Sequence, residues 1–226
     1  MSLDKVKPVK IDINLENGEN VFFTSDLHFG HRNILEFCKR PFASVEEMDE
    51  ALIENWNSVC EATNDWVFDL GDFCILLHTG GGMNFWADSK WEARFLYLGN
   101  HDITRWPGDK VMELFHRVEQ QMILKIDGRY VYLNHYPFLC YGGAWRDPGC
   151  AVYALHGHVH SGPNCGGKDC DRLNLRFPYQ YDVGVDNNNY TPVSWEQVKE
   201  IIDNQVRNGL PNTNNEHTIP DEAYKE

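Results

Sequence analysis

Apolar residues along this chain fall into short blocks rather than long runs, and the blocks differ in period. Val21-Phe22-Phe23-Thr24 and Trp66 to Leu70 are near-continuous apolar stretches of strand length. Phe95-Leu96-Tyr97-Leu98, Ala151 to Leu155 and Tyr181 to Val185 predict three more strands. Val9 to Leu15, the Asn17-Gly18 turn signal and Val21 to Thr24 together predict an opening β-hairpin. Met122 to Ile126, Asp127-Gly128 and Tyr130 to Asn134 predict a second. Helical spacing governs Val45, Met48, Leu52, Trp56 and Val59, which follow a Ser44/Glu47 capping pair. It returns in Val198, Ile201 and Ile202 behind Ser194 and Gln197. A glycine turn at 80–82 precedes a further helical stretch to about Glu92. From Asn208 on, the chain is polar and Asn-rich.

These elements predict one domain over residues 1–207 and a loosely ordered tail over 208–226. Strands alternate with helices early and hairpins come later. That order suggests an α/β fold with a mixed sheet, or two packed sheets, and helices outside.

Composition narrows the functional classes. With 42% hydrophobic and 24% charged residues, the 226-residue chain has ordinary globular usage, which excludes wholesale disorder. The net charge of −14 opposes a polyanion partner, so neither duplex nucleic acid nor a membrane surface is expected. No apolar run approaches the ~20 residues of a membrane helix. The opening Met-Ser-Leu-Asp-Lys-Val-Lys-Pro lacks an apolar signal core, so a cytoplasmic location is expected. Seven cysteines, an odd number, read as reduced thiols. Cys165 and Cys170 flank a Gly-rich loop and could clip a metal or form a disulfide, but two thiols do not complete a zinc site.

The chemistry lies in polar strings that directly follow predicted strands: Asp26-Leu27-His28, Gly71-Asp72, Gly99-Asn100-His101-Asp102, Asn134-His135 and Gly157-His158-Val159-His160. Loops at strand ends are where α/β sheets bind ligands. Carboxylate, imidazole and amide oxygen donors suit a divalent ion of intermediate hardness: Mn, Fe, Zn, Co or Ni. Asp26, His28, Asp72, Asn100, His135, His158 and His160 are too many ligands for one ion. Two ions sharing one carboxylate would use them all, and such a pair is the usual device for hydrolysing phosphate esters. In an extended segment residues i and i+2 face the same way, so Asp26 with His28, and His158 with His160, are expected to share a direction.

This ordered set of strings (DxH, GD, GNHD, H, GHxH) resembles the calcineurin-like metallophosphoesterases. The resemblance implies a four-layer α/β/β/α sandwich of two packed mixed sheets flanked by helices. It implies two divalent ions, with manganese favoured. One would be held by Asp26, His28 and His160, and the other by Asn100, His135 and His158. Asp72 would bridge them, and a hydroxide shared by the ions would attack phosphorus. His101 would act on the leaving group, making His101 and Asp72 the catalytic pair.

Substrate class is less constrained. Where protein phosphatases carry GDxVDRG, this chain has Gly71-Asp72-Phe73-Cys74-Ile75-Leu76, which places that activity in doubt. The expectation is a phosphodiesterase acting on a small nucleotide-like ester. A phosphomonoesterase on a small metabolite is the alternative, and a non-catalytic scaffold a third reading. Arg32, Asn33, Trp145 and Arg146 are candidate substrate contacts. Trp145 and Tyr141 would offer stacking surfaces over the metals. His156, one step outside GHxH, reads as a strand-end structural residue.

Overall fold

A computed structural model describes residues 10–60, 65–74, 93–104, 115–144, 151–162 and 178–208. In chain order the elements are β1 (Lys10–Ile13), β2 (Val21–Thr24), α1 (Ile34–Phe37), α2 (Val45–Val59), β3 (Trp66–Asp69), β4 (Ala93–Tyr97), α3 (Asn100–Thr104), β5 (Arg117–Glu119), β6 (Gln121–Ile126), β7 (Arg129–Asn134), β8 (Tyr153–His156), β9 (Gln180–Asp182), β10 (Val193–Ser194) and α4 (Trp195–Asn208). The predicted helical stretch to Glu92, Trp145, Arg146, the Cys165/Cys170 loop and the tail lie outside the described residues.

Two five-stranded mixed sheets form the molecule, ordered β10-β2-β3-β4-β5 and β1-β6-β7-β8-β9. They share one core: Phe23, Phe68 and Phe95 from the first sheet meet Leu124, Leu133 and Leu155 from the second. Phe68 stacks between Phe23 and Phe95, with ring centroids 5.7 and 4.8 Å apart. Helix α2 covers the outer face of the first sheet, burying Met48, Leu52 and Trp56 with Phe22, Val67 and Leu96. Each such side chain contributes roughly 1.5–3 kcal/mol on full burial. Helix α4 touches β2, β9 and β10, and so spans both sheets, with Val198 and Ile202 in the shared core. The outer face of the second sheet carries a smaller cluster that includes Tyr132, Phe138, Tyr141 and Val152.

The capping pairs form as the sequence requires. The Glu47 N–H donates to Ser44 Oγ at 3.2 Å, and that of Gln197 to Ser194 Oγ at 3.3 Å. The Gln197 side chain returns the bond to the Ser194 N–H at 2.8 Å. Strands β6 and β7 form the predicted hairpin, with Asp127 (φ 45°) and Gly128 (φ 82°) supplying the two left-handed residues of its turn. The opening hairpin does not form. β1 pairs in parallel with β6, whereas β2 pairs in parallel with β3 in the other sheet. Asn17-Gly18 does turn the chain, but a turn signal fixes a local reversal and not the partner of the strands on either side.

Candidate metal centre

The site sits where strands of both sheets end on one side of the molecule. β2, β3 and β4 run parallel in the first sheet, and β7, β8 and β9 in the second. Their outgoing loops carry Asp26 and His28, Asp72, Asn100 and His101, His135, and His158 and His160. The loops after β2 and β3 stay paired beyond the sheet: the N–H groups of Asp26, His28 and Phe29 donate to the carbonyls of Gly71, Asp72 and Phe73.

The backbone here is left-handed, not extended. Asp26 (φ 58°), His28 (56°), Asp72 (55°), His158 (71°) and His160 (46°) all have positive φ. The i, i+2 argument for a shared direction therefore fails in its premise. In the loops after β2, β3 and β8 a left-handed residue turns the side chains inward, a conformation that costs of order 1–2 kcal/mol per residue for a non-glycine; Asn100 and His135 reach the site without one. Carboxylates hold these turns in place. Asp102 accepts from the N–H groups of Asp72 (2.7 Å), Gly99 (2.9 Å) and Phe73 (3.2 Å). Asp69 accepts from Gly71, and Asp182 from Gly184, each two residues ahead. Two motif glycines are required by close approach. A Cβ at Gly99 would lie 2.6 Å from the Asp72 nitrogen, and one at Gly157 2.6 Å from Ser25 Cβ, both nearer still to the Asp72 or Asp26 carboxylate.

Two groups of ligand atoms result. In Asp26, His28 and His160 the candidate atoms lie within 4.8 Å of one another, and the same holds for Asp72, His135 and His158. In the first group Asp26 Oδ1 is 3.9 Å from His28 Nε2 and 3.7 Å from His160 Nε2. Asp72 Oδ2 stands between the groups, 3.7 Å from His28 Nε2 and 3.6 Å from His135 Nε2. Asn100 Oδ1 lies 3.3 Å from His135 Nε2.

These separations fit a shared ion better than hydrogen bonds. Ligand atoms about 2.1 Å from one ion lie about 3–4 Å from each other. Asp26 Oδ1 and His28 Nε2 are buried and have no hydrogen-bond partner among the described residues. His135 Nδ1 donates to the Leu70 carbonyl at 2.8 Å, which leaves Nε2 as a lone pair facing Asn100 Oδ1. Burial drives the His135 pKa down to about 4 and that of His28 well below the usual value, so both rings are neutral and ligand-ready at pH 7. Burial also pushes Asp72 up to about 8, with Asp26 adding repulsion, and it raises Asp26. An ion would relieve this crowding of carboxylates. Two further groups overlap these: His28, Asp72 and His101, which links the first two, and Cys38, His160 and Asp186, a poorer candidate because Arg40 already forks onto both Asp186 oxygens.

Residues 20–220 match the family model described as calcineurin-like phosphoesterase. The chain belongs to that family. Among relatives of this calcineurin-like phosphoesterase, the uncharacterized protein MJ1445 of Methanocaldococcus jannaschii is 32% identical over 192 residues, covering 81% of this chain and 91% of that one. The Gene 66 protein of a Mycobacterium phage is 28% identical over 215 residues, covering 84% and 99%. The crystal structure of the protein of unknown function AQ665 from Aquifex aeolicus superposes with a TM-score of 0.60 at 23% identity, covering 81% of this chain and 99% of that one; this likeness concerns the fold. Family members bind dinuclear metals, which agrees with the two Asp/His groups. No described helix is long and apolar enough to cross a membrane.

His101 is placed differently from the other site residues of this phosphoesterase. Its side chain is 28% exposed, against 1% for His28 and 0% for His135, and its Nε2 is 3.9 Å from Asp72 Oδ2. Its own N–H donates to Asp72 Oδ1 at 2.8 Å. Asp102, its neighbour in sequence, turns instead to the backbone of the Asp72 loop. His156 is buried at the end of β8, as expected. Arg32 and Asn33 are exposed just past the Gly30 turn. Tyr141 does not roof the metals: it is 6% exposed and packs with Tyr132 and Phe138. The exposed aromatic beside the site is Tyr136, whose ring centroid is 4.7 Å from that of His158. Sequence reasoning also passed over His31, Arg40 and Asp186. His31 Nδ1 lies 3.2 Å from His28 Nδ1. Asp186 Oδ2 accepts from His160 Nδ1 at 2.6 Å. Burial works against a charged His160, but Asp26 and Asp186 outweigh it and raise the pKa to about 9. The Asp-x-Gly of residues 69–71 and 182–184 signals the Asp69 and Asp182 turns and does not point to Arg40 or Asp186.

Proposed function

We propose that this calcineurin-like phosphoesterase is a phosphodiesterase that cleaves a small nucleotide-like ester with two divalent ions. Asp26, His28 and His160 would hold one ion, and Asn100, His135 and His158 the other, with Asp72 shared. Manganese suits this mixed set of oxygen and imidazole ligands. When bound, such ions supply a nucleophile at neutral pH and neutralise charge on the phosphoryl oxygens. The observation that carries the reading is the convergence of buried His28 and His135 on one oxygen of Asp72, with the partly exposed His101 Nε2 3.9 Å from that same oxygen.

His101 faces the opening, where a leaving group would lie. Protonated, it can donate from Nε2 to the departing ester oxygen, which a diester needs because its leaving group is a poorly stabilised alkoxide. Its backbone bond to Asp72 fixes the ring's root relative to the shared carboxylate. Arg32, exposed just past the Gly30 turn, would steady a phosphoryl oxygen or a second phosphate. The chain's charge of −14 favours a small substrate over a nucleic-acid duplex. Cys74 and Cys140 are free thiols, as a reducing, cytoplasmic setting would leave them.

The test uses metal-stripped protein with manganese restored, comparing bis-p-nitrophenyl phosphate with p-nitrophenyl phosphate. Faster diester cleavage, lost in Asp72→Ala, is expected; His101→Ala should lose more on a diester with an alkyl leaving group than on these esters, whose p-nitrophenolate departs without a proton. Faster monoester cleavage would replace the reading with a phosphomonoesterase. Turnover of neither, with ions bound, would refute it for simple esters.

A further inference from the structure

We infer that Arg40 and Asp186 form a buried buckle that presets the ligands of one ion, and so set the occupancy of that ion more strongly than that of the other. The inference rests on the assignment of two ions to the seven side chains named above.

Arg40 is 4% exposed and lies 146 residues from Asp186 in sequence. Its guanidinium makes two sets of bonds at once. Nε and Nη2 fork onto the Asp186 carboxylate at 2.9 and 2.8 Å. Nη2 also donates to the Asp26 carbonyl at 2.6 Å, and Nη1 to the Leu27 carbonyl at 2.9 Å. Asp186 in turn accepts from His160 Nδ1 at 2.6 Å. One cation therefore grips the backbone of the left-handed turn that carries Asp26 and His28. Through Asp186 it also orients the ring of His160. All three ligands of the first group hang on it.

The second group has supports of its own, and meets the first where the His158 N–H donates to Asp26 Oδ2 at 2.9 Å and the His28 N–H to the Asp72 carbonyl at 2.9 Å. His135 is oriented by the Leu70 carbonyl, and the Asp72 loop by Asp102. Among the described residues, none of the bonds made by Arg40 or Asp186 reaches Asp72, Asn100, His135 or His158.

The arrangement has a chemical logic. Asp186 is neutralised by Arg40, so it directs His160 without competing for the ion. The bond to Nδ1 leaves Nε2 to face Asp26 Oδ1. A buried ion pair is weak evidence for stability alone, since apolar groups of similar shape often serve as well. What an apolar pair cannot supply is a planar fork that fixes two carbonyls and a carboxylate together, and lysine cannot supply it either. Arg40 and Asp186 are thus positioning residues.

The experiment titrates manganese into metal-stripped protein, followed by calorimetry and by electron paramagnetic resonance. Wild type is expected to take two ions with an exchange-coupled signal. Fewer than two would refute the two-ion assignment itself. Asp186→Asn and Arg40→Lys are expected to weaken one ion by about 10–100-fold and the other by less than about fivefold. At one ion per chain they should give the uncoupled signal of His28→Ala. Trp56→Phe, which removes packing under α2, lowers the melting temperature without altering the ratio of the two affinities. Equal weakening of both ions, no weakening of either, or the signal of His135→Ala would overturn the inference. Should Asp186→Asn fail to fold, Arg40→Lys decides the matter by the same readings.

Discussion

Replacing Gly157 by alanine is the sharpest probe of how closely this site is built. The new Cβ would stand 2.6 Å from Ser25 Cβ and closer than that to Asp26 Oδ2, where ordinary contact begins at 3.4 Å. Ser25 Cβ must retreat by about 0.8 Å, and Ser25 Oγ and Asp26 Oδ2 by more. The neighbours cannot retreat freely: Asp26 Oδ2 accepts from the His158 N–H at 2.9 Å, and the Asp26 carbonyl is held by Arg40. Overpacking of this kind costs about 1–3 kcal/mol. For a chain of this size that is a fall of roughly 2–12 °C in melting temperature. The larger effect is functional, because a ligand moved by about 1 Å can cost on the order of 100-fold in rate. The assay measures manganese uptake and bis-p-nitrophenyl phosphate hydrolysis beside thermal melts. Gly128→Ala is the comparison: at φ 82° with nothing within 4 Å of a new Cβ, it adds backbone strain and no collision. It should lower the melting temperature but leave ion uptake and turnover intact. Wild-type uptake and turnover in Gly157→Ala would refute the argument that the Asp26 carboxylate needs a bare backbone beside it.

Three further outcomes are expected. Saturating manganese should raise the melting temperature, by the equivalent of about 4 kcal/mol for a site filled at 1,000 times its Kd, and Asp72→Ala should remove most of the gain. Without ions, stability should fall as pH rises from about 6.5 to 8. Asp72 (pKa about 8) and His160 (about 9) hold protons in the folded chain that the unfolded chain has lost, while the lowered His28 and His135 contribute no slope there. Ion binding must expel those protons, so apparent affinity should climb over the same window, and calorimetry in buffers of different ionisation enthalpy will count them. Asp102→Ala should cost about 3 kcal/mol or more in urea unfolding, because it strands the buried N–H groups of Asp72, Phe73 and Gly99.

The sequence alone determined what depends on neighbours along the chain. The period of Met48, Leu52 and Trp56 specifies α2, Ser194 with Gln197 starts α4, and Asp127-Gly128 closes the β6–β7 hairpin, because period, caps and turns are local. The strings at Asp26, Asp72, Asn100, His135 and His158 were legible as one centre for a different reason: each stands at a strand end with the donor types an ion requires. Tertiary structure decided the rest. Nothing local tells β1 to join β6 and β2 to join β3, since both strands expose the same unpaired backbone and only burial between two sheets selects the partner. The left-handed turns at Asp26, His28, Asp72, His158 and His160 are likewise invisible in residue type, because surrounding bonds impose a conformation those residues do not prefer. Arg40 and Asp186 show the limit most plainly. Either could stand on a solvated surface, and their shared role exists only because the fold closes 146 residues of chain around one guanidinium.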